Sequence, residues 1–183
     1  ARFVASNGVA AVLIDLRDAS VVGFDSQIAD VKDAIRWIRA RADLYNIDPG
    51  RIGLLGSSSG GHLASLAAYA GNGEGFGDDP PGTSSRVGAC LFLYGPYDPG
   101  ALAASGTLQA PFAMWYLGGD PTASPETYAR YSAATYVDGS EPPTLLIHGT
   151  EDVLVPLEQA ERLEACLNEA NVPVELVVVP RLG

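Results

Sequence analysis

Five short apolar runs, separated by stretches of helical periodicity, constrain this chain more than any other feature. Residues 9–15 (VAAVLID), 51–55, 87–94, 144–147 and 174–179 each read as a strand. Between the first two, Ile28, Val31, Ile35, Ile38 and Ala42 recur at spacings of three and four, with Lys32, Asp33, Arg36 and Arg39 turned outward. That is an amphipathic helix. Asp48-Pro49-Gly50 then turns the chain. Residues 60–70, rich in Leu and Ala, and residues 157–170 read as two more helices. Strands that alternate with helices imply a mostly parallel sheet with helices on its faces. The expected class is therefore α/β, a doubly wound sheet covered on both faces. At 183 residues, 47% of them apolar, the chain has enough for one domain and one sizeable core. Residues 71–85 read as a polar loop. Residues 95–141 are irregular with short helical stretches, which predicts a small cap, about 96–141, between two strands.

Gly56-Ser57-Ser58-Ser59-Gly60 follows a strand directly and opens a helix. A Gly-x-Ser-x-Gly turn in that setting holds its central residue in a strained conformation, with the hydroxyl above the sheet. Side chains two positions to either side are expected to collide, so the spacing selects Ser58 over Ser57 and Ser59. The Ser59 backbone N–H, at a helix N-terminus, can stabilise an oxyanion at the same spot. The plain alternative is a Gly/Ser-rich turn that caps a helix. A phosphate-binding loop is disfavoured, because neither G-x-G-x-x-G nor a P-loop lysine is present.

A serine hydroxyl attacks only when a base takes its proton, and a carboxylate holds that base. In strand–turn–helix hydrolases the acid follows the serine in chain order, and the histidine follows the acid. His148-Gly149-Thr150-Glu151-Asp152-Val153-Leu154-Val155-Pro156 leaves the fourth strand where the acid belongs. Asp152 is the candidate, with Glu151 and Asp98 as competitors. His62, one helical turn past Ser58, reads as a buried structural residue, and His148 as a residue that orders the acid loop. His148, Glu151 and Asp152 do not read as a metal site, because no second cluster supplies ligands. Met114, Trp115 and Tyr116 either line a substrate pocket or simply pack.

A net charge of −11 repels phosphate backbones and anionic headgroups, so nucleic acid and membrane surfaces are poor partners. No apolar run reaches the roughly 18 residues of a spanning helix. Cys90, inside an apolar run, and Cys166, on a helical face, read as reduced thiols rather than a disulfide.

Taken together, Gly56-Ser57-Ser58-Ser59-Gly60-Gly61-His62-Leu63-Ala64, Asp48-Pro49-Gly50-Arg51-Ile52, Tyr94-Gly95-Pro96-Tyr97-Asp98 and Pro142-Pro143-Thr144-Leu145-Leu146-Ile147-His148-Gly149 resemble the α/β-hydrolase-fold serine esterase/lipase family, in particular acetyl- and feruloyl-esterase-like carboxylesterases. The resemblance covers nearly the whole chain. It implies hydrolysis of small-molecule carboxylic esters through an acyl-enzyme on Ser58, with no cofactor. It also implies a sequence truncated at both ends. Such enzymes carry a His-Gly-Gly oxyanion loop upstream, which this sequence lacks, and Leu16-Arg17 stands where Tyr-Arg often closes a strand. They place the catalytic histidine in a Gly-His pair after the last strand, so it is expected just after Gly183. The segment alone is then expected to be inactive. A serine aminopeptidase or oligopeptidase domain shares the elbow and the acid loop, and a non-catalytic hydrolase-like module is the remaining alternative.

Overall fold

The structure, a computed structural model, describes residues 5–107, 110, 111, 114, 117 and 119–183. Helix α1 (Ala19–Val22) leads into the long helix α2 (Phe24–Arg39) and the single turn α3 (Ala42–Tyr45). Strand β1 (Gly53–Ser57) passes through one residue into helix α4 (Ser59–Tyr69), and β2 (Ala89–Leu93) follows a long loop. The short helices α5 (Pro99–Ala104) and α6 (Pro125–Arg130) and a 3-10 turn (Ala133–Tyr136) lie between β2 and the next strand. Strand β3 (Thr144–Gly149), helix α7 (Glu158–Glu169) and strand β4 (Val174–Val179) complete the chain.

Among the described residues four strands lie in the order β1-β2-β3-β4, and each neighbouring pair is parallel. This is the expected α/β class. Register places Ser57 opposite Leu93, and His148 and Gly149 opposite Val178 and Val179, so the carboxyl ends of the strands lie along one edge. The loops that leave that edge carry the candidate site residues, as is usual for parallel sheets.

Residues 9–15 depart from expectation. They form no strand, and Val9, Val12, Leu13 and Ile14 are exposed. A strand exists only through ladder hydrogen bonds to a neighbour, and an apolar run records the need for burial without supplying that neighbour. Among the described residues none pairs with this segment. The second strand is displaced from 51–55 to Gly53–Ser57, because β2 pairs with it right up to Ser57.

Alternate strand positions are buried, and they belong to one face. Leu54, Cys90, Phe92 and Leu146 join Ile28, Val31 and Ile35 of α2, Leu63 and Leu66 of α4, and Leu163 and Leu167 of α7 in a single core cluster. On the opposite face Leu55 is exposed, and Leu91, Leu93, Leu145 and Ile147 are half-buried. Among the described residues, the helices that contribute to this cluster all pack on the first face. Cys90 and Cys166 are free thiols, and burial pushes the Cys90 thiol up to about 12.

Helix α2 is buried over a wider arc than its periodicity indicates. Lys32, expected to face outward, is 2% exposed and donates from Nζ to the Ala70 carbonyl at 2.7 Å. Ala70 is the C-cap of α4, so the ammonium meets the negative end of that helix dipole. Burial pulls its pKa down. The cause is the polar loop at 71–86, which folds back over α2. Arg36 pairs with Asp79 at 2.6 Å and with Asp33 at 2.7 Å, and Arg39 donates to the Ser84 and Arg86 carbonyls. Among the described residues no helix is long and apolar enough to cross a membrane.

Candidate active site

The turn between β1 and α4 has one residue in which to reverse direction, and that residue is Ser58. Its φ of 53° and ψ of −127° lie where an L-residue is held only if its surroundings enforce it. Three contacts do so. The Ser58 N–H donates to the Leu93 carbonyl at 2.9 Å, and its carbonyl accepts from the Gly61 and His62 amides at 2.9 and 3.2 Å. The Ser58 residue is exposed, at the carboxyl edge of the sheet. The Ser59 amide is among the first of α4, a group that a helix leaves without an intrahelical partner.

Strand and helix meet here backbone to backbone. A Cβ on Gly56 would lie 2.2 Å from the Gly60 carbonyl oxygen and 2.6 Å from its carbon. Only glycine fits at position 56. The expectation that Gly60 is equally required is corrected, since a Cβ there would meet nothing within 4 Å. The obstacle is the backbone oxygen of residue 60, which every residue type carries.

His62 stands one turn into α4, where its Nε2 lies 2.6 Å from the Tyr131 carbonyl oxygen and its ring packs 5.2 Å from that of Phe24. Burial lowers its pKa to about 4, against the opposing pull of the Tyr131 carbonyl. This ring is tied to the core side of the helix.

Asp152 sits in a tight turn just past β3. Its Oδ1 accepts from the Leu154 and Val155 amides, both at 2.9 Å. His148 is fully buried beneath the turn, with Nε2 2.8 Å from the Val155 carbonyl oxygen and 3.6 Å from Asp152 Oδ2. The end of the chain crosses the same loop. Glu151 N donates to the Leu182 carbonyl at 2.9 Å, Arg181 N donates to Thr150 Oγ1 at 3.0 Å, and a Cβ on Gly183 would lie 3.5 Å from Asp152 N. No feature of the sequence announced this crossing.

The competing carboxylates are placed differently. Asp98 caps α5, its Oδ1 accepting from Ala101 N at 3.0 Å, and its own amide donates to the buried Gln159 at 2.8 Å. Glu151 is exposed. Among the described residues no group of three or more His, Cys, Asp or Glu could hold a metal ion. Met114 is half-buried, whereas Trp115 and Tyr116 lie outside the described residues.

The family model described as BD-FAE matches residues 1–167. The chain is 34% identical over 159 residues to the probable carboxylic ester hydrolase LipM of Mycobacterium tuberculosis, covering 86% of this chain and 37% of that protein. It is 32% identical to the esterase LipC of the same organism, covering 88% of this chain and 42% of that one. Among solved structures it superposes on a truncated carbohydrate esterase from gut microbiota with a TM-score of 0.81 and 31% identity, over 91% of this chain and 64% of the other. The fold is thus of the α/β-hydrolase type. The chain spans about two fifths of the length of these two curated relatives.

Two outcomes follow from the geometry. Gly56→Ala should destabilise the protein by about 3 kcal/mol or more in urea unfolding, as a backbone overlap that cannot relax. Gly60→Ala should be neutral, or stabilising by up to about 1 kcal/mol, since alanine is the better helix former. Equal losses would contradict the one-sided contact. For His62, a folded-state pKa below the unfolded one means that the unfolded chain takes up the proton first. Its contribution is complete above about pH 6.5 and is lost as pH falls toward 4, by roughly 3 kcal/mol. Urea unfolding at pH 7 and pH 4 should show a larger loss for wild type than for His62→Gln, and parallel losses would refute this.

Proposed function

We propose that this chain, which belongs to the BD-FAE family, forms the nucleophile-and-acid part of a serine esterase that cleaves carboxylic esters through an acyl-enzyme on Ser58. The observation that carries this reading is the backbone of Ser58, held at φ 53° between a parallel strand and a helix N-terminus. Such strain costs of order 1–3 kcal/mol and persists where the surroundings impose it, commonly at active sites. The esterase names of its relatives support the reaction class.

In this mechanism Ser58 Oγ attacks the ester carbonyl carbon while a base removes the hydroxyl proton. The carbonyl oxygen becomes an oxyanion that accepts a hydrogen bond from the Ser59 amide. Collapse expels the alcohol, which takes up the proton from the base, and leaves the acyl group on Ser58. Water, deprotonated by the same base, then releases the carboxylic acid and restores the serine. Asp152 orients the base and stabilises its charged form. That base is a histidine other than His62 or His148, whose rings are engaged with the Tyr131 and Val155 carbonyls. The run of 181–183 across the acid loop favours a position that follows Gly183 in the whole protein. Residues 96–141, which among the described residues contribute short helices and no strand, read as a cap-like insertion in this one domain.

The test is p-nitrophenyl acetate turnover by the whole protein. Ser58→Ala should abolish it, whereas Ser57→Ala should leave it within about tenfold of wild type, since the Gly-x-Ser-x-Gly pattern leaves that position open. Asp152→Asn should lower kcat by up to about 10⁴-fold through the wrong histidine tautomer, and Asp98→Asn by far less. If Ser57→Ala were as damaging as Ser58→Ala, the elbow would be misassigned. A larger loss for Asp98→Asn would move the acid to the loop after β2.

A further inference from the structure

The imidazole of His148 lies directly beneath the loop that carries Asp152, and its hydrogen bonds are lopsided. Nε2 is 2.8 Å from the Val155 carbonyl oxygen. A carbonyl can only accept, so the ring hydrogen is on Nε2. Nδ1 is buried with no hydrogen-bond partner, the one such side-chain atom among the described residues. An unpaired buried polar atom carries a desolvation cost that an apolar side chain in this place would not incur. Whatever the ring contributes beyond filling space, it contributes through Nε2.

That contact closes the loop from beneath. It ties the strand end at His148 to Val155, whose amide in turn donates to Asp152 Oδ1 at 2.9 Å, alongside the Leu154 amide. Oδ1 is thereby fixed by two N–H groups, while Oδ2 accepts no hydrogen bond among the described residues and stands 3.6 Å from the imidazole. Gly149, the next residue after His148, is where the chain end crosses, since a Cβ there would lie 2.1 Å from the Leu182 carbonyl oxygen. The strand end therefore anchors both the acid turn and the segment that runs back past it.

We propose that His148 is a positioning residue for the esterase reaction: through the Val155 carbonyl it sets the turn in which Asp152 keeps one oxygen bound and presents the other to the catalytic base. This rests on the reading of Asp152 as the triad acid. It assigns His148 no proton transfer and no contact with substrate.

The test uses two amide variants of the whole protein that bury similar polarity at one site. In His148→Gln the side-chain amide reaches the place of Nε2, and in His148→Asn the place of Nδ1. His148→Gln should hold kcat for p-nitrophenyl acetate within a few-fold of wild type, and His148→Asn should lower it on the order of 10²-fold, the scale of a misplaced catalytic group, with KM unchanged. In an Asp152→Asn background the cost of His148→Asn should vanish, because there is no carboxylate left to position. Equal kcat for the two amide variants would overturn the proposal, and so would a full loss that persists without the Asp152 carboxylate. Wild-type kcat in Asp152→Asn alone would overturn the triad reading instead, and the proposal with it.

Discussion

The contact between Gly56 and the carbonyl of residue 60 sets the terms for the rest of the structure. Strand and helix can be joined by a single residue only if their backbones touch, and they touch only if the strand residue has no Cβ. Where a Cβ would lie 2.2 Å from the oxygen, no rotamer offers relief. Once that approach is made, Ser58 must take a positive φ to close the turn, and its amide and carbonyl find partners in Leu93 and in the first turn of α4. The hydroxyl is then carried at the carboxyl edge of the sheet, beside a helix N-terminus, with little freedom to withdraw. The strain at Ser58 is balanced by packing, because α4 buries Leu63 and Leu66 in the same core that holds α2 and α7.

The loop that carries Asp152 is held by other means. Its turn is made of hydrogen bonds rather than of a forced backbone, with Asp152 Oδ1 accepting from two amides while His148 grips the Val155 carbonyl from below. Parallel register brings the two constructions to the same edge: β1 pairs with β2 to Ser57, and β3 pairs with β4 to Gly149. The candidate site is thus assembled from loops that share one sheet end, and the segment 181–183 crosses 149–151 beside it. Elsewhere the few cations of an acidic chain serve as fasteners. Lys32 caps α4, and Arg36 and Arg39 fix the loop at 71–86 onto α2.

The parts of this arrangement legible in the sequence are those that local chemistry dictates. The glycine at 56 announces the elbow, because a Cβ there would overlap the carbonyl of residue 60, and the serine two residues on carries the hydroxyl. The periodicity of Ile28, Val31, Ile35 and Ile38 fixes a helix, and the 174–179 strand falls where its β-branched run does. What could not be read depends on partners distant in the chain. Residues 9–15 look like a strand in composition, yet strand formation is decided by a neighbour's free edge. Lys32 reads as solvent-facing until the loop at 71–86 folds over it. Gly60 seemed sterically necessary by symmetry with Gly56, but the contact runs from one Cα to one carbonyl oxygen and is not symmetric. Neither the full burial of the His148 ring nor its unpaired Nδ1 could be read from the sequence.

The central claim, that the strained Ser58 is the nucleophile, is tested most directly by its covalent chemistry. The whole, active protein is treated with a fluorophosphonate and the modified peptide is located by mass spectrometry. The account predicts a single adduct on the Ser58 hydroxyl, formed as activity is lost. Complete inactivation with the adduct on Ser57, Ser59 or any other residue would contradict it.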